Sequence, residues 1–345
     1  MAGEELTERE RRVLEAVVQA YIETAEPAGS RTLAKAFPLG VSAATIRNTM
    51  SDLEERGYLY HPHTSAGRVP TDRAYRVYVD RVFWADRIAE VDRDRLHREL
   101  VVDRTPIESI VRRAAEVLGV LTQELGLAVA PSLAGAVLER LELLQLSSER
   151  LLIVLVLHGG AARTIFVEAS GHLPPDVVQC VARVLNERLA GLTLHEIRRS
   201  LSARLRDAGS GASEKELLNI FIEEAEQVFD LDAASGRDVV LGSAQMLAEQ
   251  PEFHSNDRMR ALLELTERRD VLRRALLARN APGLNVTIGA ENLDPKLTAF
   301  TIVTSTYRSG SLAGVIGVIG PTRMPYQKVL SLVQYTSRLM GDLAQ

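Results

Sequence analysis

At 345 residues, with 46% hydrophobic and 25% charged residues, the chain has the composition of a folded globular protein and a length for two or three domains, which excludes a largely disordered or fibrous class. Its formal net charge of −5 excludes a molecule that attracts polyanions over its whole surface, although one local basic face suffices for nucleic acid because screening acts within roughly 8–10 Å. The single cysteine, Cys180, excludes an internal disulfide or a thiolate cluster, and the absence of a signal-peptide core or a bilayer-length apolar run leads us to expect a cytoplasmic protein with no membrane partner.

Thr7-Glu8-Arg9-Glu10 is a capping box, and Val13, Leu14, Val17, Val18, Tyr21 and Ile22 then recur at helical spacing. Glu26-Pro27 ends this helix. Ser30 is expected to cap a short second helix carrying Leu33, Ala34 and Phe37, and Phe37-Pro38-Leu39-Gly40 forms the turn after it. Ser42 caps a third helix with Ile46, Met50 and Leu53 on its inner face and Gly57 as its stop. Tyr58-Leu59-Tyr60 predicts a short strand. The polar, turn-rich stretch from His61 to Pro70 predicts a loop between two such strands, a wing. Thr71-Asp72 opens a fourth helix with Tyr75, Val79, Val82 and Phe83 on one face. From Pro27 to Val82 the cations Arg31, Lys35, Arg47, Arg56, Arg68, Arg73, Arg76 and Arg81 outnumber the acids, so this segment is locally basic.

Ala85–Asp103 is charged with sparse apolar residues and reads as a solvated helical linker. Thr105-Pro106-Ile107-Glu108 is a second capping box, opening a helix to about Leu125. Val137–Leu146, Leu151–Leu157 and Arg163–Glu168 predict an antiparallel meander turning at Ser147-Ser148-Glu149 and His158-Gly159-Gly160. Helices are expected around Pro175–Leu189, His195–Asp207 and Glu214–Phe229, with Gly209-Ser210-Gly211 as a flexible joint. A strand at Asp238–Gly242, a helix over about Asp257–Arg279, strands at Val286–Ala290, Thr298–Thr306 and Leu312–Ile319, and a last helix holding Val329, Leu332, Val333 and Leu339 complete the chain.

The order helix, short helix, turn, helix, wing describes a winged helix-turn-helix, whose second helix lies in the major groove with its N-terminal residues at the base edges. With Ile46, Met50 and Leu53 turned inward, Ala43, Ala44, Thr45, Arg47, Asn48 and Ser51 face outward. Arginine pairs bidentately with guanine and asparagine with adenine, which suits Arg47 and Asn48; Ala44 and the Thr45 methyl suit a thymine methyl. Arg31, the Ser42 hydroxyl and Thr49 are candidates for phosphate contacts, and in the wing His63, Thr64, Ser65 and Arg68 for backbone or minor-groove contacts, with Gly67 permitting close approach. Winged helices also serve as protein-interaction modules, and the residues alone leave both readings open.

Enzyme readings find little. His195-Glu196 lacks a second histidine at zinc-protease spacing, and His158-Gly159-Gly160 sits in a hairpin with no nucleophile elbow. Gly314, Gly317 and Gly320 do not follow the dinucleotide pattern and are expected to allow close packing in a strand. The histidines are scattered without metal-ligand spacing, so neither metal nor cofactor is expected. Around Arg323 and Met324 two readings stand: an exposed contact, or a segment in which Pro321-Thr322 caps the last helix.

Gly40-Val41-Ser42-Ala43-Ala44-Thr45-Ile46-Arg47-Asn48, Met50, Asp52-Leu53-Glu54, Gly57-Tyr58-Leu59 and Pro62–Asp72 with Tyr75-Arg76 and Tyr78-Val79-Asp80 closely resemble the HrcA family of bacterial heat-inducible repressors. A second match lies in Ile288-Gly289, Glu291-Asn292, Tyr307 and Gly317–Met324 with Tyr326. The resemblance implies an α+β multidomain fold: a winged helix over 1–84, a linker over 85–104, a GAF-like α/β domain with an antiparallel sheet over 105–134 and 236–345, and an inserted α+β dimerisation domain over 135–235. It further implies a homodimer that binds a double-stranded inverted-repeat operator, termed CIRCE, upstream of the GroE and DnaK chaperone operons, with the GroE chaperonin keeping the repressor active. A regulator controlled by a small ligand in the GAF-like domain is the alternative.

Overall fold

The computed structural model describes residues 6–63, 66–83, 88–101, 107–131, 135–147, 150–158, 162–168, 174–208, 211–223, 239–277, 283–309 and 312–343. In chain order its helices are α1 (Glu8–Thr24), α2 (Ser30–Ala36), α3 (Ala43–Glu55), α4 (Asp72–Val82), α5 (Glu90–Leu100), α6 (Ile107–Thr122), α7 (Pro175–Leu189), α8 (Leu194–Leu205), α9 (Ala212–Glu223), α10 (Gln245–Ala248), α11 (Asn256–Glu267), α12 (Arg269–Leu277) and α13 (Tyr326–Leu343). Its strands are β1 (Leu59–Tyr60), β2 (Val69–Pro70), β3 (Leu125–Val129), β4 (Leu138–Gln145), β5 (Arg150–Leu157), β6 (Ala162–Glu168), β7 (Val239–Leu241), β8 (Leu284–Ile288), β9 (Phe300–Ser309) and β10 (Leu312–Pro321). This is a mixed α+β chain with antiparallel pairings, and it divides into two compact units. No helix among the described residues is long and apolar enough to cross a membrane.

The first unit draws on residues 1–129, 240–306 and 315–339. The α1 capping box forms as its residue types require: the Thr7 hydroxyl accepts from the Glu10 amide at 3.3 Å, and the Glu10 carboxylate accepts from the Thr7 amide at 2.7 Å. Val13, Leu14, Val17 and Val18 make the buried stripe of α1, which packs on α3 and α4. For α2 the structure corrects the sequence reading: Gly29 holds the N-cap position, Ser30 is the first helical residue, and no side chain caps this helix. The short strands β1 and β2 pair antiparallel, with Leu59 opposite Pro70 and Tyr60 opposite Val69.

A five-stranded sheet, ordered β7-β3-β10-β9-β8, lies largely in this unit. The expected helix to Leu125 stops at Thr122 instead. There Gln123 takes a left-handed φ of 59°, and the Thr122 hydroxyl turns back to the Leu118 carbonyl at 2.7 Å. The chain then enters the buried strand β3, an element the sequence reading missed; a Cβ at Gly126 would overlap the Ala115 carbonyl of α6, so glycine sets this close packing. The glycines of β10 serve the same end, because a Cβ at Gly317 would overlap the Val303 carbonyl and one at Gly320 the Glu124 carboxylate. Asn292 ties the loop after β8, its amide donating to the carbonyls of Gly289, Leu297 and Phe300 at 2.8–3.0 Å.

Three further expectations are corrected. The segment read as a solvated linker contains α5, whose Leu96 and Leu100 are buried where α5 packs on α6. The helix expected over Asp257–Arg279 breaks at Arg268, where ψ is 68°. Neither reading of the Arg323 segment holds: Met324 is buried, Arg323 is half-buried in an ion pair with Glu252, and α13 starts at Tyr326, with Pro325 accepting its first bond from Val329 at 3.0 Å.

The second unit draws on residues 130–239, 307–314 and 340–345. Strands β4, β5 and β6 form the expected meander, with Leu152 opposite both Leu144 and Phe166. Because side chains alternate along a strand, Leu151, Ile153, Leu155 and Leu157 face a core shared with α7, α8 and α9. Asn186 of α7 pins β4, accepting from the Leu141 amide at 2.8 Å and donating to its carbonyl at 2.7 Å. His195-Glu196 is the helix start it was read to be, since Glu196 completes a capping box with Thr193. The Thr105-Pro106 start, the turn glycines 159 and 160, and Gly209-Ser210 lie outside the described residues.

Candidate nucleic-acid interface

Helix α3 is anchored at both ends. Ser42 caps it, accepting from the Thr45 amide at 3.1 Å, and at the far end Arg56 pairs with Glu10 at 2.9 Å. Glu10 thus joins the start of α1 to the end of α3. Its carboxyl lies below the usual range, held there first by the Thr7 hydroxyl and amide and further by the Arg56 guanidinium. Ile46, Met50 and Leu53 are buried against the rest of the bundle, as the spacing predicted. This fixes the opposite face. Ala44, Arg47 and Asn48 are exposed, while Thr45 and Ser51 are half-buried beside them. Among the described residues neither the Arg47 nor the Asn48 side chain is engaged by the protein. Thr49 departs from expectation: it is buried and its hydroxyl donates to the Thr45 carbonyl at 3.1 Å, so it is no candidate for a phosphate contact.

The ribbon is fixed to the same bundle. Ala28, in the α1–α2 connection, exchanges two backbone hydrogen bonds with Arg68, at 2.9 and 3.0 Å. A Cβ on Gly67 would overlap the carbonyls of Ala28 and Pro27, so Gly67 serves this junction. Behind the ribbon, Thr71 donates to the Gly57 carbonyl at 2.9 Å, and the Arg73 guanidinium lies 4.4 Å from the centre of the Tyr58 ring.

Between the start of α2, the outer side of α3 and the base of the ribbon lies an open concavity of about 400 Å³, lined by Arg31, Arg47 and Arg68 together with Ser30 and Gly67. Three cations from three different elements therefore converge on one hollow. Arg31 is exposed. Arg68 points to Glu54 on α3, 2.7 Å away, with its side chain only 15% exposed, and it also meets His61, whose Nδ1 is 3.4 Å from Glu54. The sequence reading missed Glu54 and His61, since no local spacing links a helical acid to an arginine across the ribbon. Ser42 is exposed but its hydroxyl is engaged as the cap and contacts the Thr45 hydroxyl at 3.0 Å. His63 is exposed; Thr64 and Ser65 lie outside the described residues.

The family model described as the HrcA protein C terminal domain matches residues 108–330. The chain is 40% identical to the heat-inducible transcription repressor HrcA of Chlorobium phaeobacteroides (strain BS1), covering 100% of both chains, and 35% identical to that of Geobacter sulfurreducens, covering 99% of both. Among solved structures, the crystal structure of a hypothetical protein at 2.2 Å resolution is similar over 99% of both chains, with a TM-score of 0.66 and 22% identity.

Proposed function

The chain belongs to the HrcA family, and from that premise we infer that it represses transcription by reading an operator with α3 of a winged helix-turn-helix. The observation that carries this reading is the outer face of α3. Arg47 and Asn48 stand exposed and unengaged among the described residues at its N-terminal half, beside a hollow lined by three arginines. The helix enters the major groove with Arg47 and Asn48 at the base edges and Ala44, Thr45 and Ser51 alongside. Arg31 and Ser42 face the phosphates on one side; His63 and the ribbon face them on the other, and the hydroxyl side chains of Thr64 and Ser65 remain phosphate-contact candidates by residue type alone. Arg68 serves from within the hollow, where its pair with Glu54 positions the ribbon against α3.

The protein acts as a homodimer, so its operator is an inverted repeat of the CIRCE type, upstream of GroE and DnaK chaperone operons. A feature of the second unit supports a dimer. On the sheet face opposite the core, Leu144 and Phe166 are 47% and 67% exposed, aligned across the half-buried Leu152. An apolar row of this kind is costly to leave in water and seats a second copy. The GroE chaperonin sustains the active form; the discontinuous chain order of the five-stranded sheet, which must join β3 to strands more than a hundred residues later, favours slow folding and supports that need. The alternative, control by a small ligand, is not favoured by the cavity lined by Ala261, Glu264, Leu265, Arg268, Val271 and Lys296, which at about 90 Å³ is small against the roughly 300–1,000 Å³ of a typical ligand site.

The test is a duplex titration. An inverted-repeat duplex should bind far more tightly than a scrambled one. Its affinity should fall about 10³–10⁵-fold between 50 and 200 mM salt if roughly 6–10 phosphates are contacted. Equal binding to both duplexes would overturn the operator reading.

A further inference from the structure

The two stretches that carry the family resemblance lie far apart in sequence and meet within the first unit. Asp72, in the first turn of α4, accepts from the Ala290 amide at 2.9 Å. That approach needs glycine at 289, where φ is 51° and a Cβ would overlap the Asp72 carboxylate. One helical turn on, Arg76 grips Glu291 through Nε at 2.7 Å and again through Nη2, which also donates to the Val286 carbonyl at 2.8 Å. Glu291 is aimed by the Ile288 amide, 2.8 Å from its carboxylate. A second tie stands apart from the first: Arg323 pairs with Glu252, with Nη2 at 3.0 Å, and donates to the Ile22 carbonyl of α1 at 2.8 Å. Beside these, the Tyr75 and Tyr78 rings of α4 lie 5.8 and 6.4 Å from Tyr326 of α13.

These contacts have a shared direction. The bonds Asp72–Ala290, Arg76–Glu291, Arg76–Val286 and Arg323–Ile22 each join α1 or α4 to the sheet-bearing part of the unit, Glu252 holding Arg323 from the sheet side, and α1 and α4 are the helices that carry α3 and the ribbon. The bundle's own cohesion comes from other groups, chiefly the apolar faces of α1 and α3. A bidentate guanidinium–carboxylate pair fixes orientation as well as distance, and two further bonds, Asp72–Ala290 and Arg323–Ile22, tie the same helices at separate points.

We propose that Asp72, Arg76 and Glu291, with Arg323 and Glu252, are positioning residues for operator binding: they clamp the α1–α4 module to the sheet in one orientation, so that a dimer offers its two α3 helices to both half-sites at once. This rests on the operator reading above. An unclamped module still recognises one half-site, because α3 itself is unchanged. It loses simultaneous engagement of two, in proportion to the fraction of molecules with both modules docked.

Two measurements on the full-length protein test this, using Arg76→Glu and the swap Arg76→Glu/Glu291→Arg. The first needs no DNA. Spin labels are placed at Thr32→Cys on α2 and Leu293→Cys, which is 96% exposed, in a Cys180→Ser background. With labelled protein diluted in unlabelled protein so that each dimer holds one labelled protomer, the distance distribution should be narrow in the parent, broad in Arg76→Glu and narrow again in the swap. The second compares duplexes holding one half-site or the full inverted repeat. If the docked fraction per protomer falls to about a tenth, full-site affinity drops by up to about 100-fold while half-site affinity holds, and the swap recovers most of the loss. Should Arg76→Glu fail to fold, Glu291→Gln keeps the shape, removes the charge and gives the same trend at smaller size. A narrow distribution and unchanged full-site affinity in a folded Arg76→Glu protein would overturn the clamp, as would parallel loss on both duplexes. A narrow parent distribution with no preference for the inverted repeat would instead overturn the operator reading.

Discussion

Arg68 offers the sharpest contrast between a residue that touches DNA and one that arranges others to do so. Its guanidinium lies 2.7 Å from Glu54, with side-chain exposures of 15% and 30%. An exposed ion pair contributes about 0–1 kcal/mol, and breaking a fully buried one costs about 3–5; discounted for this partial exposure, Arg68→Ala should cost about 1–2 kcal/mol, a factor of roughly 5–30. If Arg68 positions the ribbon, Arg68→Ala and Glu54→Ala weaken operator binding by similar factors, because each releases the same junction. The slope of log affinity against log salt then stays unchanged. If Arg68 instead contacts phosphate directly, Arg68→Ala lowers that slope by about 1. Glu54→Ala would then tighten binding, since a negative charge leaves the interface. Fluorescence anisotropy over a salt series separates the two. A lowered slope in Arg68→Ala together with tighter binding by Glu54→Ala would refute the positioning role.

Other expectations follow from the same geometry. Gly67→Ala should break the two backbone bonds between Ala28 and Arg68, costing about 1–3 kcal/mol in urea unfolding and weakening duplex binding, because the added Cβ overlaps two carbonyls. Burial drives the Glu124 carboxyl well above the usual carboxylate range, only partly opposed by the Gln250 amide at 3.1 Å. The folded state therefore keeps a proton that the unfolded chain releases, and stability falls as pH rises from the usual carboxylate range through the folded pKa. Glu124→Gln should flatten that fall in denaturant melts across pH, and an unchanged slope would show that another group sets it. Phe166→Asp, on the exposed sheet face of the second unit, should shift sedimentation from dimer toward monomer without unfolding the protein, because the side chain is 67% exposed.

Periodicity made most elements legible. The stripe Ile46, Met50 and Leu53 gave α3 and, by exclusion, the outward Arg47 and Asn48. The strand-length apolar run Leu151–Leu157 gave β5, and the capping box read at Thr7 marks a helix start observed in the structure. What escaped depends on partners distant in the chain. Strand β3 follows a strong helical pattern without a breaker; it is set by Gln123 in the left-handed region and by Gly126 against α6. Leu96 and Leu100 looked too sparse for a buried face until α6 covered them. Thr49 sits between an inward and an outward column, where spacing alone does not decide, and it turned inward. The Glu54–Arg68 and Arg76–Glu291 pairs link elements whose proximity is a property of the fold rather than of local sequence.

Selection of bound duplexes from a random pool asks most directly whether α3 reads DNA. The wild-type protein should enrich a two-fold inverted repeat. Asn48→Ala and Arg47→Ala should each relax preference at one base position per half-site, at a cost of about 1–3 kcal/mol. Enrichment of no repeat by the wild-type protein, or an unaltered sequence preference in both variants, would contradict the assignment of Ser42–Arg56 as the reading element.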